Sequence, residues 1–157
     1  MYGAFNSWMV EGLGGLSTLS TVTPSSSSPA EATTGWRQIV VHPDPFAVAK
    51  LKKGGLRMKT RFGTAAVQWS YQDGKAITNV TIPVGSVGSV VHDVRLGQCT
   101  LETVREGRHL LWSASPKDEP VVDAGNGILV AAKRAGAGRI ETAVGSGSYA
   151  FTREYSC

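Results

Sequence analysis

Beyond Gly35 the apolar residues alternate with polar ones in run after run, and the runs are broken by turns rich in glycine or proline. Successive side chains of a strand point to opposite faces, so a run of this kind buries one face and wets the other. Trp36 to His42 reads WRQIVVH and stops at Pro43-Asp44-Pro45, where two prolines have no amide hydrogen to give a ladder. Thr64 to Tyr71 and Ala76 to Pro83 flank Asp73-Gly74, a strong hairpin signal. Val87 to Val94, Thr100 to Val104, His109 to Ser113, Ile128 to Lys133, Arg139 to Val144 and Ser148 to Thr152 continue the pattern. About nine strands at spacings near a dozen residues predict an all-β fold, an antiparallel β-sandwich. Nineteen glycines and seven prolines exclude a bundle of long helices.

The first 34 residues follow other rules. Tyr2, Phe5, Trp8, Met9, Leu13 and Leu16 recur at spacings of three and four, one stripe of an α-helix over residues 1–16. Ser17 to Thr34 holds six serines, five threonines, Pro24 and Pro29, and reads as a linker. The expected organisation is therefore a helix over 1–16, a linker over 17–34 and a sandwich over 35–157. An amphipathic helix carrying aromatics needs a surface to pack on, either the sandwich or a neighbouring domain.

Sixteen Lys and Arg against twelve Asp and Glu give a charge of +4, well below the density of a dedicated nucleic-acid binder. No apolar run reaches 18 residues, and the amino terminus lacks the order of a signal peptide. The expectation is a soluble chain with neither nucleic acid nor membrane as partner, its compartment left open. Cys99 and Cys157 form no CxxC pair and no ligand cluster with His42, His92 or His109, so no metal or other cofactor is expected. Two free thiols are the first expectation, and a Cys99–Cys157 bridge in an oxidising compartment is the alternative.

Few residues carry chemistry. Asp118-Glu119 lies between Pro116 and Pro120 in a polar loop, where solvation outweighs acid–base tuning. No GxSxG or SxxK surrounds any serine, and no catalytic residue is assigned. Lys50, Lys52, Lys53, Arg57, Lys59 and Arg61 place six cations in twelve residues, a solvated edge strand or a basic interaction module. Trp36, Trp69 and Trp112 stand on strands, where such rings fill a core or stack on sugar. Asn79-Val80-Thr81 is an N-glycosylation triplet within a strand.

The segments YGAFNSWMVEGLGGL, GWRQIVVHPDP, RFGTAAVQWSYQDGKAITNVTIPVGS and VGSGSYAF together resemble the carboxyl-terminal part of the α-L-rhamnosidases of glycoside hydrolase family 78. The likeness covers nearly the whole chain. Gly35-Trp36-Arg37, Ile39 and Pro43 fit the first strand of that domain. Phe62-Gly63, Trp69 and Ile82-Pro83 fit its second stretch, and Gly145-Ser146-Gly147, Tyr149 and Phe151 fit its last strand. The resemblance implies that residues 1–16 correspond to the last helix of an α/α barrel, followed by a β-sandwich.

It also implies that the parent enzyme removes terminal α-L-rhamnose with inversion, and that its acid and base lie on barrel helices outside this sequence. This chain is then a noncatalytic structural domain or fragment, with the barrel or a rhamnose-containing glycoside as partner in the parent enzyme. Where the family has Asn-His-Tyr, this chain has Asn6-Ser7-Trp8, and where some members carry a sugar-facing histidine it has Lys52 and Lys53. Asn6, Lys53, Trp36, Trp69 and Trp112 are the candidates for substrate contact. The alternative reading is a stand-alone carbohydrate-binding module that uses the tryptophans.

Overall fold

The structure is a computed structural model that describes residues 9–18, 36–115, 127–134 and 138–157. Among these residues twelve strands form two sheets. The first sheet holds β1 (Leu16–Thr18), β2 (Gln38–Val41), β6 (Val87–Asp93), β11 (Arg139–Val144) and β10 (Ile128–Arg134), in the order β1-β2-β6-β11-β10. The second holds β3 (Lys53–Thr60), β4 (Gly63–Gln72), β5 (Lys75–Ile82), β12 (Gly147–Ser156), β8 (Cys99–Glu106) and β7 (Arg95–Leu96), in that order beyond β3-β4, with β9 (His109–Ser113) also pairing with β8. The last strand of the chain lies in mid-sheet, hydrogen-bonded to β5 on one side and β8 on the other.

The inner faces carry the alternation that the sequence displays. Ile39, Val41, Val90, Ile140 and Val144 from one sheet meet Val67, Trp69, Val80, Val104 and Phe151 from the other, all essentially buried. Burial of this kind contributes roughly 1.5–3 kcal/mol per large apolar side chain. The residues that carry the family resemblance are structural here. The Tyr149 hydroxyl donates to the Gly145 carbonyl at 3.1 Å, Phe151 is wholly buried, and Ile39, Pro43, Ile82 and Pro83 are buried too.

The expected all-β sandwich is present, and four details differ from the expectations. The sandwich is not wholly antiparallel, because β2 pairs in parallel with β6, Gln38 opposite Val87 and Val41 opposite Val90. Parallel neighbours need a long crossover, and the chain supplies it by building β3, β4 and β5 in the opposite sheet before returning. Secondly, Pro43-Asp44-Pro45 does more than end a strand: it starts helix α1 (Pro45–Leu51). The Asp44 carboxylate accepts from the amides of Phe46 at 2.8 Å and Ala47 at 3.1 Å, and Pro45 occupies the first turn, where a missing N–H costs nothing.

Thirdly, the described part of the amino-terminal helix is a π-helical turn, Met9–Leu13, and the helix does not continue to residue 16. Gly15 has φ +73°, and a side chain there would run into Pro43, so the chain turns and Leu16–Thr18 becomes a strand on β2 rather than the start of a linker. Residues 1–8 of the expected helix and 19–34 of the expected linker lie outside the described residues. Fourthly, Cys99 and Cys157 are not free thiols; they form a disulfide with their Cα atoms 4.2 Å apart. Ser156 pairs with Thr100, which sets Cys157 beside Cys99.

Candidate functional site

The outer face of the second sheet and its rim carry the grooves that include sequence-predicted residues. Helix α1 ends at Lys52, which adopts a left-handed conformation with φ 66° and returns the chain into edge strand β3. That reversal brings Leu51, Lys52 and Lys53 alongside Tyr71, Lys75 and Ile77 of the β4–β5 hairpin, around an open groove of ≈ 760 Å³. The Lys52 ammonium stands 4.7 Å from the centre of the Tyr71 ring, and the Tyr71 amide donates to the Lys52 carbonyl at 2.7 Å. A cation over an aromatic face contributes about 0.5–1 kcal/mol when exposed. The groove thus offers ammonium groups and an aromatic ring, with Asp73 at its rim.

Of the sequence-predicted contacts among the described residues, Lys53 alone lines this groove. Trp69 points inward: it is 1% exposed, its indole N–H donates to the Leu13 carbonyl at 3.1 Å, and its ring covers Gly54. Trp36 precedes β2 and Trp112 lies on β9, both half-buried against the core. Asn6 and Asp118-Glu119 lie outside the described residues. Tyr71, the aromatic of this groove, is not among the sequence-predicted contacts; the sequence signal for it is an aromatic two residues before the Asp73-Gly74 turn.

A second polar cluster sits where β2 ends. The Asp93 carboxylate accepts from His42 Nε2 at 2.9 Å and faces Arg139 Nε at 3.6 Å; its backbone carbonyl accepts the Tyr155 hydroxyl at 3.1 Å. Glu11, Gly12, Asp44 and Pro45 complete the depression around His42 and Arg139. Asp44 is engaged in capping α1, and Asp93 in two ionic contacts that tie together the ends of β2, β6 and β11 in the first sheet. In the core, burial first and the Arg153 guanidinium second hold the His92 imidazole well below its ordinary pKa. Burial pushes the Tyr155 phenol above its usual range. Among the described residues no three His, Cys, Asp or Glu side chains gather to hold a metal ion.

The fold is a two-sheet all-β domain whose signature residues hold its turns and core. The chain belongs to the bacterial α-L-rhamnosidase C-terminal domain family, whose model matches residues 17–101. Two solved structures are similar over nearly its full length. The α-L-rhamnosidase from Dictyoglumus thermophilum aligns with 98% of this chain at TM-score 0.66 and 21% identity. That from Streptomyces avermitilis, solved with L-rhamnose, aligns with 96% at TM-score 0.61 and 18% identity. The chain spans only 14% and 11% of those two chains. Among curated proteins none matches it.

Proposed function

We propose that this domain is the noncatalytic tail of an α-L-rhamnosidase, bracing a helical catalytic domain that supplies the acid and base. The observation that carries the reading is the alignment itself: nearly all of this chain corresponds to about a seventh or less of each similar enzyme. Inverting hydrolysis needs two carboxyl groups roughly 6.5–9.5 Å apart across the bond. Of the carboxylates around the depression at His42, Asp93 is committed to His42 and Asp44 to the cap of α1. In this reading the helical turn Met9–Leu13 continues the last helix of the catalytic barrel, Leu16–Thr18 already belongs to the first sheet, and residues 36–157 form the rest of the tail.

The tryptophan-based sugar-binding alternative has less support, because the Trp69 ring is enclosed and Trp36 and Trp112 stand on separate elements. The test is release of 4-nitrophenol from 4-nitrophenyl α-L-rhamnoside. Purified chain alone is expected to match the blank, whereas a polypeptide that includes an in-frame upstream barrel turns over. Activity of the chain alone overturns the reading.

A further inference from the structure

We propose that Asn79 is an acceptor for N-linked glycosylation. Asn79-Val80-Thr81 is the sole Asn-x-Ser/Thr triplet in the sequence, and neither Val80 nor Ile82 is a proline. A triplet alone is weak, since it arises often by chance. Two features of the fold give it weight.

The first is where the side chain stands. Asn79 is exposed at the middle of β5, with Gln68 of β4 on one side and Ala150 of β12 on the other. Gly55 follows Gln68 in the same cross-strand row. Glycine and alanine at two of these three positions leave the sheet surface low around the amide. The shallow groove there is lined also by Arg57, Thr64, Ala66 and Thr81. Among the described residues nothing hydrogen-bonds the Asn79 amide, while Val80 turns into the core at 1% exposure. A glycan on Nδ2 therefore projects into solvent without displacing a packed side chain. The same triplet one residue out of register would have buried its asparagine.

The second feature is the Cys99–Cys157 disulfide. Structural disulfides persist in oxidising compartments, the eukaryotic secretory route among them, where this modification takes place. The donor is a lipid-linked oligosaccharide diphosphate. The Asn79 amide nitrogen attacks the anomeric carbon, the bond from that carbon to the diphosphate oxygen breaks, the new C–N bond forms, and the amide proton passes to the transferase base. The leaving group is the lipid diphosphate, and no oxidant or reductant is involved.

The test is expression of the full chain behind a cleavable leader in a yeast secretion host, followed by intact mass of both secreted and cell-retained protein. One glycan per chain is expected, removed by peptide N-glycosidase with conversion of Asn79 to aspartate. Asn79→Gln and Thr81→Ala should each abolish the modification, and Thr81→Ser should retain it. Wild-type protein that carries the disulfide at unmodified mass overturns the proposal, as does a glycan that survives Asn79→Gln. The presence of the disulfide in each variant, read from thiol titration, separates loss of acceptor from failure to fold.

Discussion

His92 Nε2 lies 3.2 Å from Thr142 Oγ1 across the β6–β11 pair, at a position with no solvent exposure. Burial and the nearby Arg153 guanidinium keep this imidazole neutral in the folded protein, with a pKa well below 6.5. In the unfolded chain it titrates near its ordinary value of about 6.5. The unfolded state thus binds more protons below that pH, so this contribution to stability is complete above about pH 6.5 and declines as the pH falls. The loss approaches about 1.4 kcal/mol per pH unit until the folded pKa is reached. Urea midpoints measured from pH 7 to pH 5 should fall, and His92→Gln should flatten that slope.

Reduction of the Cys99–Cys157 bridge should destabilise the domain. The two cysteines are 58 residues apart in sequence, and closing a loop of that size restricts the unfolded chain. The expected loss is about 2–4 kcal/mol. It is read as the shift in urea midpoint between native protein and protein in reductant, and Cys157→Ser should reproduce it. Thiol titration of native, unreduced protein should detect no free thiol.

Gly54→Ala should be costly for a conservative change on an edge strand. A Cβ at Gly54 would overlap the six-membered ring of Trp69, which lies opposite it in the β3–β4 register. Overpacking of this type costs about 1–3 kcal/mol. Trp69 would be forced from its bond to the Leu13 carbonyl, so tryptophan emission should shift along with the lowered thermal midpoint.

The His42–Asp93 pair should show measurable coupling. Both side chains are largely shielded, at 23% and 13% exposure, and they join the end of β2 to the end of β6. A double-mutant cycle with His42→Ala and Asp93→Ala should give about 0.5–1 kcal/mol.

The strands were legible wherever one face is buried and a turn fixes the register. Asp73 and Gly74 both take positive φ, at 50° and 77°, and β4 and β5 begin and end around them as the dipeptide implies. The parallel neighbour of β2 was not legible, because nothing in Gln38–Val41 says whether its partner follows at once or after three other strands. Helix α1 could have been read: an aspartate followed by proline, then Phe-Ala-Val-Ala-Lys-Leu, is a capped start before good helix formers.

The candidate contacts were harder. Alternation places Trp69 on a face but does not say which face looks inward, and the groove at Lys53 forms only because Lys52 reverses the chain beneath Tyr71. The disulfide likewise depended on register, through the pairing of Ser156 with Thr100.

The position of β12 has a bearing on how the molecule is made. Until Gly147–Ser156 has left the ribosome, β5 and β8 each present an open edge, and neither can pair with the other. Unpaired edges of this kind recruit foreign strands. A chain halted before Gly147 is therefore no slightly shorter version of the domain; it is two half-sheets awaiting their keystone, and a substrate for chaperones and proteases.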